Sequence, residues 1–307
     1  MKPVNKITLS LLAFFGSLSI YAQQDPMYTH YMYNTLMVNP AYAGSRDALT
    51  LTLLHRSQWV DFKGAPVIQS VTLHSPLKND HYALGLSLLN DKIGSTNNTS
   101  MVGDFAYRMD LTKKSKLSLG LSAGVNIFQA RLSSLQLDQA DDPTFQNNIS
   151  NYVTPSVGFG AYYSRERFYA GISTPNLIQN NISQGNLQAS EQRHYYVIAG
   201  AVFNLSENLA FKPTTFIKIT SSAPIQADLT ASFILVKKLS LGAMYRTGDA
   251  FGALVGYTIT QQLYLGYSYD FSYGLTTAKY NQGSHEIVLR YDFLKADKKQ
   301  IHTPRYF

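Results

Sequence analysis

The amino-acid sequence predicts an all-β protein, a transmembrane antiparallel up-and-down β-barrel of about fourteen strands with a short N-terminal periplasmic segment. Three observations favour this fold class. Apolar and polar residues alternate along most of the chain, the connections between these runs are sorted by length, and no run in the mature chain is as long and apolar as a transmembrane helix. A period of two is typical of a β-strand, because successive side chains point to opposite faces.

The N-terminus has the features of a secretory signal peptide. Lys2 and Lys6 form a short basic region, an apolar run follows over residues 7–20, and the small residue Ala22 precedes Gln23. We therefore expect residues 1–22 to be removed after export. A membrane anchor is the alternative, but the apolar run is shorter than the ~20 residues that a membrane-spanning helix needs.

The segment over residues 23–46 does not alternate. One helical face could be shared by Met27, Tyr31, Asn34 and Val38, and Asn39-Pro40 would end such a helix. We predict that this segment is a short helix that lies in the periplasm or plugs the barrel.

The barrel is predicted to cover residues 47–293, followed by a C-terminal tail over residues 294–307. The clearest strand is residues 117–127, where six apolar side chains share one face, and serine, glycine and asparagine share the other. The last two strands, within residues 262–293, repeat the pattern with tyrosine and phenylalanine on the apolar face. The pattern predicts fourteen strands, an even number that brings both chain ends to one side of the membrane.

The connections are sorted by length. Long polar stretches follow odd-numbered strands, at residues 129–151, 174–191 and 272–284, whereas tight turns such as 164–166 and 237–238 follow even-numbered strands. Outer-membrane barrels have short periplasmic turns and long extracellular loops. A soluble β-sandwich or propeller, which is the alternative, has no reason to sort its loops in this way.

The charged residues of the strands occupy the less apolar face. Each would cost a few kcal/mol in the middle of a bilayer, and we expect all of them to face the lumen, where they can pair. They are Asp104, Arg108, Lys212, Lys218, Asp228, Arg246, Asp270, Glu286, Arg290 and Asp292.

The composition agrees with an exported membrane protein. The chain has 22 Tyr and 16 Phe but one Trp, and it lacks cysteine. Its formal net charge of +7 falls to +5 once Lys2 and Lys6 leave with the signal peptide. The basic residues do not cluster with stacking aromatics, so we expect no nucleic-acid partner.

No catalytic or metal-binding motif is present among the seven histidines, and we expect neither enzymatic activity nor a cofactor. A hydrolase that uses His74 or His285 is the remaining enzymatic alternative. Asp138, Asp141 and Asp142 lie in a predicted loop and offer oxygen ligands of the kind that calcium prefers. Their spacing does not match an EF-hand, so a solvated loop that contacts a partner is the preferred interpretation.

Two stretches carry a resemblance to a known family. QDPMYTHYMYNTLMVNPAYAGSR, which runs into HRSQWVDFKGAP, resembles the opening of the PorP/SprF family, outer-membrane proteins of the type IX secretion and gliding-motility system of Bacteroidota. The closing YSYDF and GSHEIVLRYDF are similar to the last hairpin of that family. The resemblance spans essentially the whole mature chain, and its most specific residues are 39–44 with Arg56, Gln58 and Trp59.

The resemblance implies a barrel in the cell outer membrane that helps to secrete a large adhesin-like protein with a C-terminal sorting domain and to hold it at the cell surface. It also implies a periplasmic partner linked to peptidoglycan, besides the outer-membrane lipid itself. Alternation alone leaves a second function open, that of a passive channel or transporter for small or lipophilic solutes.

The candidate partner-binding residues come from the N-terminal segment, from the family motif and from the acidic loop. Tyrosines suit a partner surface because they offer a large contact area with few rotatable bonds, although they could equally pack on the inner rim of the barrel. The set is Tyr28, Tyr31, Tyr33, Asn39, Pro40, Tyr42, Arg56, Trp59, Asp138, Asp141 and Asp142.

Overall fold

The computed structural model describes residues 26–134, 147–184, 187–221, 223–273 and 279–293, with backbone only for 181–190. The signal peptide, the three loop aspartates and the C-terminal tail of the sequence prediction lie outside these residues. The strands are β1 Leu49–Ser57, β2 Val67–Pro76, β3 Tyr82–Ile93, β4 Thr96–Thr112, β5 Ser115–Ala130, β6 Ile149–Arg165, β7 Phe168–Thr174, β8 Asn181–Gln184, β9 Leu187–Ser190, β10 His194–Ala201, β11 Phe203–Asn204, β12 Leu209–Thr220, β13 Ala223–Leu235, β14 Leu239–Arg246, β15 Ala250–Thr258, β16 Leu263–Ser272 and β17 Ser284–Phe293.

The strands form a closed antiparallel barrel, as the alternation predicts. Each barrel strand pairs with its neighbours along the chain, and β1 pairs with β17 from Leu49 opposite Phe293 to Ser57 opposite His285. Strands β8 and β9 form a separate hairpin, and β11 continues β10, so the wall has fourteen strands. Closure pairs the backbone groups of every strand, which a sheet in hydrocarbon requires. Among the described residues no helix is long and apolar enough to cross a membrane.

Pro213 explains why β10 and β11 are separated. The pairing of β10 with β12 ends where Gly200 faces Thr214, and it resumes in the same register where Phe203 faces Phe211. Proline has no N–H to donate to a ladder, and Pro213 lies in this gap. The interruption is therefore local, and β10 and β11 together form one strand of the barrel wall.

The two faces of the wall differ as predicted. In β5, for example, Leu121 is 57% exposed and Ser122 is 5% exposed. All ten charged residues that the alternation assigns to the lumen are buried, and the outward face carries exposed Leu, Val, Ile, Phe and Tyr. The charges thus avoid lipid and meet one another inside the barrel.

The connections define two rims. On one rim they contain two to five residues, and on the other rim the loops 58–66, 131–148, 175–193 and 273–283 contain between nine and nineteen. Three tight turns also lie on the second rim. We call these the short-turn rim and the long-loop rim, and the length rule for outer-membrane barrels assigns them to the periplasm and the cell exterior.

The N-terminal segment lies inside the lumen. Thr29 bonds to Asp270 and Glu286 near the long-loop ends of β16 and β17, whereas Arg46 bonds to Asp292 near the short-turn end of β17. The segment therefore runs from the long-loop side to the short-turn side before it enters β1 at Leu49.

The single helix predicted between Met27 and Val38 is wrong. The segment forms two short 3-10 helices, Thr35–Met37 and Pro40–Tyr42, and Pro40 begins the second one rather than ending the first. The side chain of Asn39 caps the second helix by accepting a hydrogen bond from the N–H of Ala41 at 3.0 Å. Bonds to the barrel wall replace the intrahelical bonds that the spacing suggested.

Two glycines in the wall make room for the segment. A Cβ at Gly120 would overlap the backbone of Ala41, and a Cβ at Gly160 would overlap the side-chain amide of Asn39. That amide donates hydrogen bonds to the carbonyl oxygens of Ala161 at 3.1 Å and Ile172 at 3.4 Å. The stretch 39–44, which is among the most specific parts of the family resemblance, thus packs against small residues in β5 and β6.

We expect Gly120→Val to lower the free energy of unfolding by about 1–3 kcal/mol, because the new side chain overpacks the seat of Ala41. Chemical denaturation in lipid vesicles, followed by the fluorescence of the single tryptophan, Trp59, measures this change. Gly103→Val is the matched control, since a Cβ there meets nothing nearer than the carbonyl oxygen of Ala123 at 3.8 Å. Equal stability of the two variants would contradict the close packing of Ala41 against Gly120.

Candidate functional site

A cluster of buried charges holds the beginning of the segment. Arg56 contacts Asp270 at 2.7 Å and Glu286 at 3.3 Å, and Arg246 contacts Asp228 at 2.8 Å. Each of these side chains is 3% exposed or less. We call these five residues the outer cluster, because they lie near the long-loop ends of their strands.

The outer cluster binds the backbone of residues 28–30. Glu286 accepts hydrogen bonds from the N–H of Thr29 at 2.9 Å and from the N–H of His30 at 2.6 Å. Its Oε1 also lies 2.8 Å from Nδ1 of His30, and Arg246 donates to the carbonyl oxygen of Tyr28 at 3.1 Å. One carboxylate thus satisfies two adjacent N–H groups that have no partner within the segment, and such charge-assisted bonds are the strong ones.

The middle of the segment is tied to the wall by neutral groups. The hydroxyl of Tyr31 lies 3.1 Å from Oγ1 of Thr214, and its ring stacks on Phe216. Asn34 donates to Ser70 at 2.9 Å and accepts from Thr72 at 3.1 Å. Burial raises the pKa of Tyr31 above its ordinary value, so the phenol stays neutral.

A second group of charges holds the end of the segment near the short-turn rim. Arg46 donates to both oxygens of Asp292, at 2.9 and 2.6 Å, and Thr50 donates to the same carboxylate at 2.7 Å. Arg108 of β4 contacts Asp47 at 2.6 Å. Burial lowers the pKa of the Arg46 guanidinium, but its bonds to Asp292 and the charge of that carboxylate outweigh burial and give a net rise. We call Arg46, Asp47, Arg108 and Asp292 the inner cluster.

Most of the candidate partner-binding residues line the packed lumen. Tyr28, Tyr31, Asn39, Pro40, Tyr42 and Arg56 are all buried there. Their side chains contact the barrel wall, which agrees with the packing alternative, and a role as partner contacts stays a prediction. Tyr33 is half-buried in the lumen.

Trp59 lies apart from the lumen residues, in the loop 58–66 on the long-loop rim. Its side chain is half-buried and meets Phe62 edge to face, with ring centroids 6.4 Å apart. Its backbone N–H donates to Ser284 at 3.1 Å. Trp59 is thus placed where a molecule outside the cell could touch it.

The histidines serve packing and hydrogen bonding. His30 contacts Glu286, and Nδ1 of His74 accepts a hydrogen bond from the N–H of Gly44 at 3.1 Å. No group of three or more His, Asp or Glu within the described residues has the arrangement of a metal site.

The sequence identified the lumen charges but not their function. Asp270, Glu286 and Asp292 were assigned to the inner face without any link to residues 28–46. The partners are separated by as many as 257 positions, as Thr29 and Glu286 are, so the spacing along the chain carries no signal for the contact.

The fold and its filled lumen define the class of protein, an outer-membrane β-barrel occupied by its own N-terminal segment. The sequence profile described as "Type IX secretion system membrane protein PorP/SprF" matches residues 20–291. The chain therefore belongs to the PorP/SprF family of type IX secretion system membrane proteins. No curated protein matches the sequence.

The comparison with solved structures finds a hydrocarbon channel and an outer membrane protein. The CymD monoaromatic hydrocarbon channel is 12% identical, with a TM-score of 0.50 over 85% of this chain and 93% of the channel. The Acinetobacter baumannii outer membrane protein Omp33 is 13% identical, with a TM-score of 0.45 over 80% of this chain and 99% of Omp33. At these identities the likeness to CymD supports the barrel fold alone.

We expect Glu286→Gln to lower the free energy of unfolding by about 3 kcal/mol or more, because it leaves Arg56 buried without one of its two carboxylates. Denaturation in lipid vesicles measures the loss. Asp110→Asn is the matched control, since the pair of Asp110 and Lys116 is solvent-exposed at 3.6 Å and pairs of that kind contribute at most about 1 kcal/mol. A similar small loss in both variants would show that the outer cluster contributes little.

Proposed function

We propose that this protein is a non-enzymatic outer-membrane barrel that supports type IX secretion and holds a large adhesin-like protein with a C-terminal sorting domain at the cell surface. Membership of the PorP/SprF family supports the secretion role. The single structural observation in its favour is the lumen filled by residues 26–46 and anchored at both ends. A barrel filled in this way does its work at its rims rather than through a pore.

The two rims offer different surfaces. The loops 58–66, 131–148, 175–193 and 273–283 lie on the long-loop rim, and we assign the secreted protein to that side. The short turns and the entry to β1 lie on the other rim, where we assign a periplasmic partner linked to peptidoglycan. Cleavage of the signal peptide after Ala22, which delivers the mature chain to the outer membrane, is part of the same proposal.

A passive channel for small or lipophilic solutes is the second candidate. The likeness to CymD, whose name describes a hydrocarbon channel, concerns the fold. Such a channel needs a continuous path through the lumen, and the buried side chains of Tyr31, Asn39 and Tyr42 occupy that path. The contacts of the segment with the wall therefore weigh against this candidate.

We expect the purified full-length protein in planar bilayers to show no large, stable conductance, because the segment fills the lumen. A variant that lacks residues 26–44 should conduct, since its wall stays closed by strand pairing while the lumen admits water. Single-channel recording measures both. An open channel of similar conductance in the two proteins would favour the passive channel.

A cellular test separates the two functions. We expect a strain without this protein to lose surface display of a protein with a C-terminal sorting domain, measured by protease accessibility on intact cells. Complementation with the full-length chain should restore display. Unchanged display together with reduced uptake of a small solute would overturn the secretion role and favour the channel.

A further inference from the structure

Two buried cations converge on the ring of Tyr33 in the short-turn half of the lumen. Nζ of Lys212 lies 4.8 Å from the ring centroid, and the guanidinium carbon of Arg290 lies 5.3 Å from it. Tyr264 stacks on Tyr33 with centroids 4.3 Å apart and also lies 5.4 Å from the Arg290 guanidinium. Lys212 projects from β12 and Arg290 from β17, so the ring lies between strands that are not neighbours in the wall.

Arg290 lacks a carboxylate of its own. The side chain is 6% exposed, its Nη1 has no hydrogen-bond partner, and among the described residues no acidic group lies within 4.0 Å of it. The carboxylate of Asp292, whose charge acts on Arg290, is already bound by Arg46. A buried guanidinium with an unfilled donor is costly, and only part of that cost is offset by the two aromatic rings.

The cations lie close to the periplasmic opening. Tyr264 is the second residue of β16, and Arg290 lies three positions before the end of β17, both at the short-turn rim. Tyr33 is half-buried, while Lys212 and Arg290 are buried.

We propose that Arg290, together with Lys212, binds an oxyanion, a carboxylate or phosphate group, from the periplasmic side of the lumen. The guanidinium offers its planar pair of N–H donors, the arrangement that matches such groups, and the amino group of Lys212 adds a further donor. The anion would accept a hydrogen bond from Nη1 of Arg290, which has no partner among the described residues. The site is separate from the outer cluster and does not depend on the proposed secretion role.

The test is the thermal stability of the detergent-solubilised full-length protein in inorganic phosphate, with chloride exchanged at constant ionic strength. At tenfold the half-saturating concentration, the midpoint of unfolding of the unmodified protein should rise by about 3 °C. Arg290→Gln should abolish the rise and Arg290→Lys should retain part of it. Lys116→Gln, which removes a part-exposed cation next to the first residue of β5, is the control that keeps the full rise.

A second arm distinguishes the source of the anion. Dihexanoyl phosphatidic acid replaces inorganic phosphate, and a rise with the lipid alone identifies a headgroup whereas a rise with both identifies a free anion. Either result supports the site if Arg290→Gln removes it. An equal rise in all variants, or none in the unmodified protein, overturns the proposal.

Equilibrium dialysis of the unmodified protein with radiolabelled phosphate or the same short-chain lipid keeps the test independent of folding in the variants. One saturable site per chain for either probe is the expected result. Absence of saturable binding for both probes overturns the proposal even if Arg290→Gln fails to fold.

Discussion

The filled lumen depends on the bond of the Glu286 carboxylate to two consecutive backbone N–H groups, those of Thr29 and His30. The same carboxylate lies 3.3 Å from Arg56, so that one buried anion serves both a wall cation and the segment. Because both side chains are 2% exposed or less, water cannot take the place of either charge as the partner of the other. Removal of the segment would leave these charged groups without their partners from the segment. The polar wall and the segment therefore stabilise each other.

The inner face of the wall complements the segment in shape as well as in charge. Glycine weakens a strand because it has no side chain to pack, yet Gly120 and Gly160 occupy the middle of two long barrel strands. The close approach of Ala41 and Asn39 gives both glycines a physical reason. The stretch 39–44 therefore packs directly against the small residues on the inner face of β5 and β6.

The alternation predicted the strands, the inward charges and the sorting of the loops, because each depends on neighbours in the chain or on the hydrocarbon outside. The path of residues 26–46 was not predictable in that way. Helical spacing between Met27 and Val38 suggested a helix, but the N–H groups of Thr29 and His30 bond to a residue more than 250 positions away. A single sequence contains no periodic signal for such a contact, and only the excess of charge on the inner face indicated that partners were needed.

Several anchors of the segment lie on the two strands that close the barrel. Arg56 of β1 faces Glu286 of β17 in the register of that seam, and Thr50 faces Asp292. Glu286 belongs to the outer cluster and Asp292 to the inner cluster, so each end of the segment is bonded to the last strand. The outer cluster joins Arg56 of β1 to Glu286 of β17 across this seam. A seam braced from inside in this way resists lateral opening, because separating β1 from β17 would part the buried charges of Arg56 and Glu286.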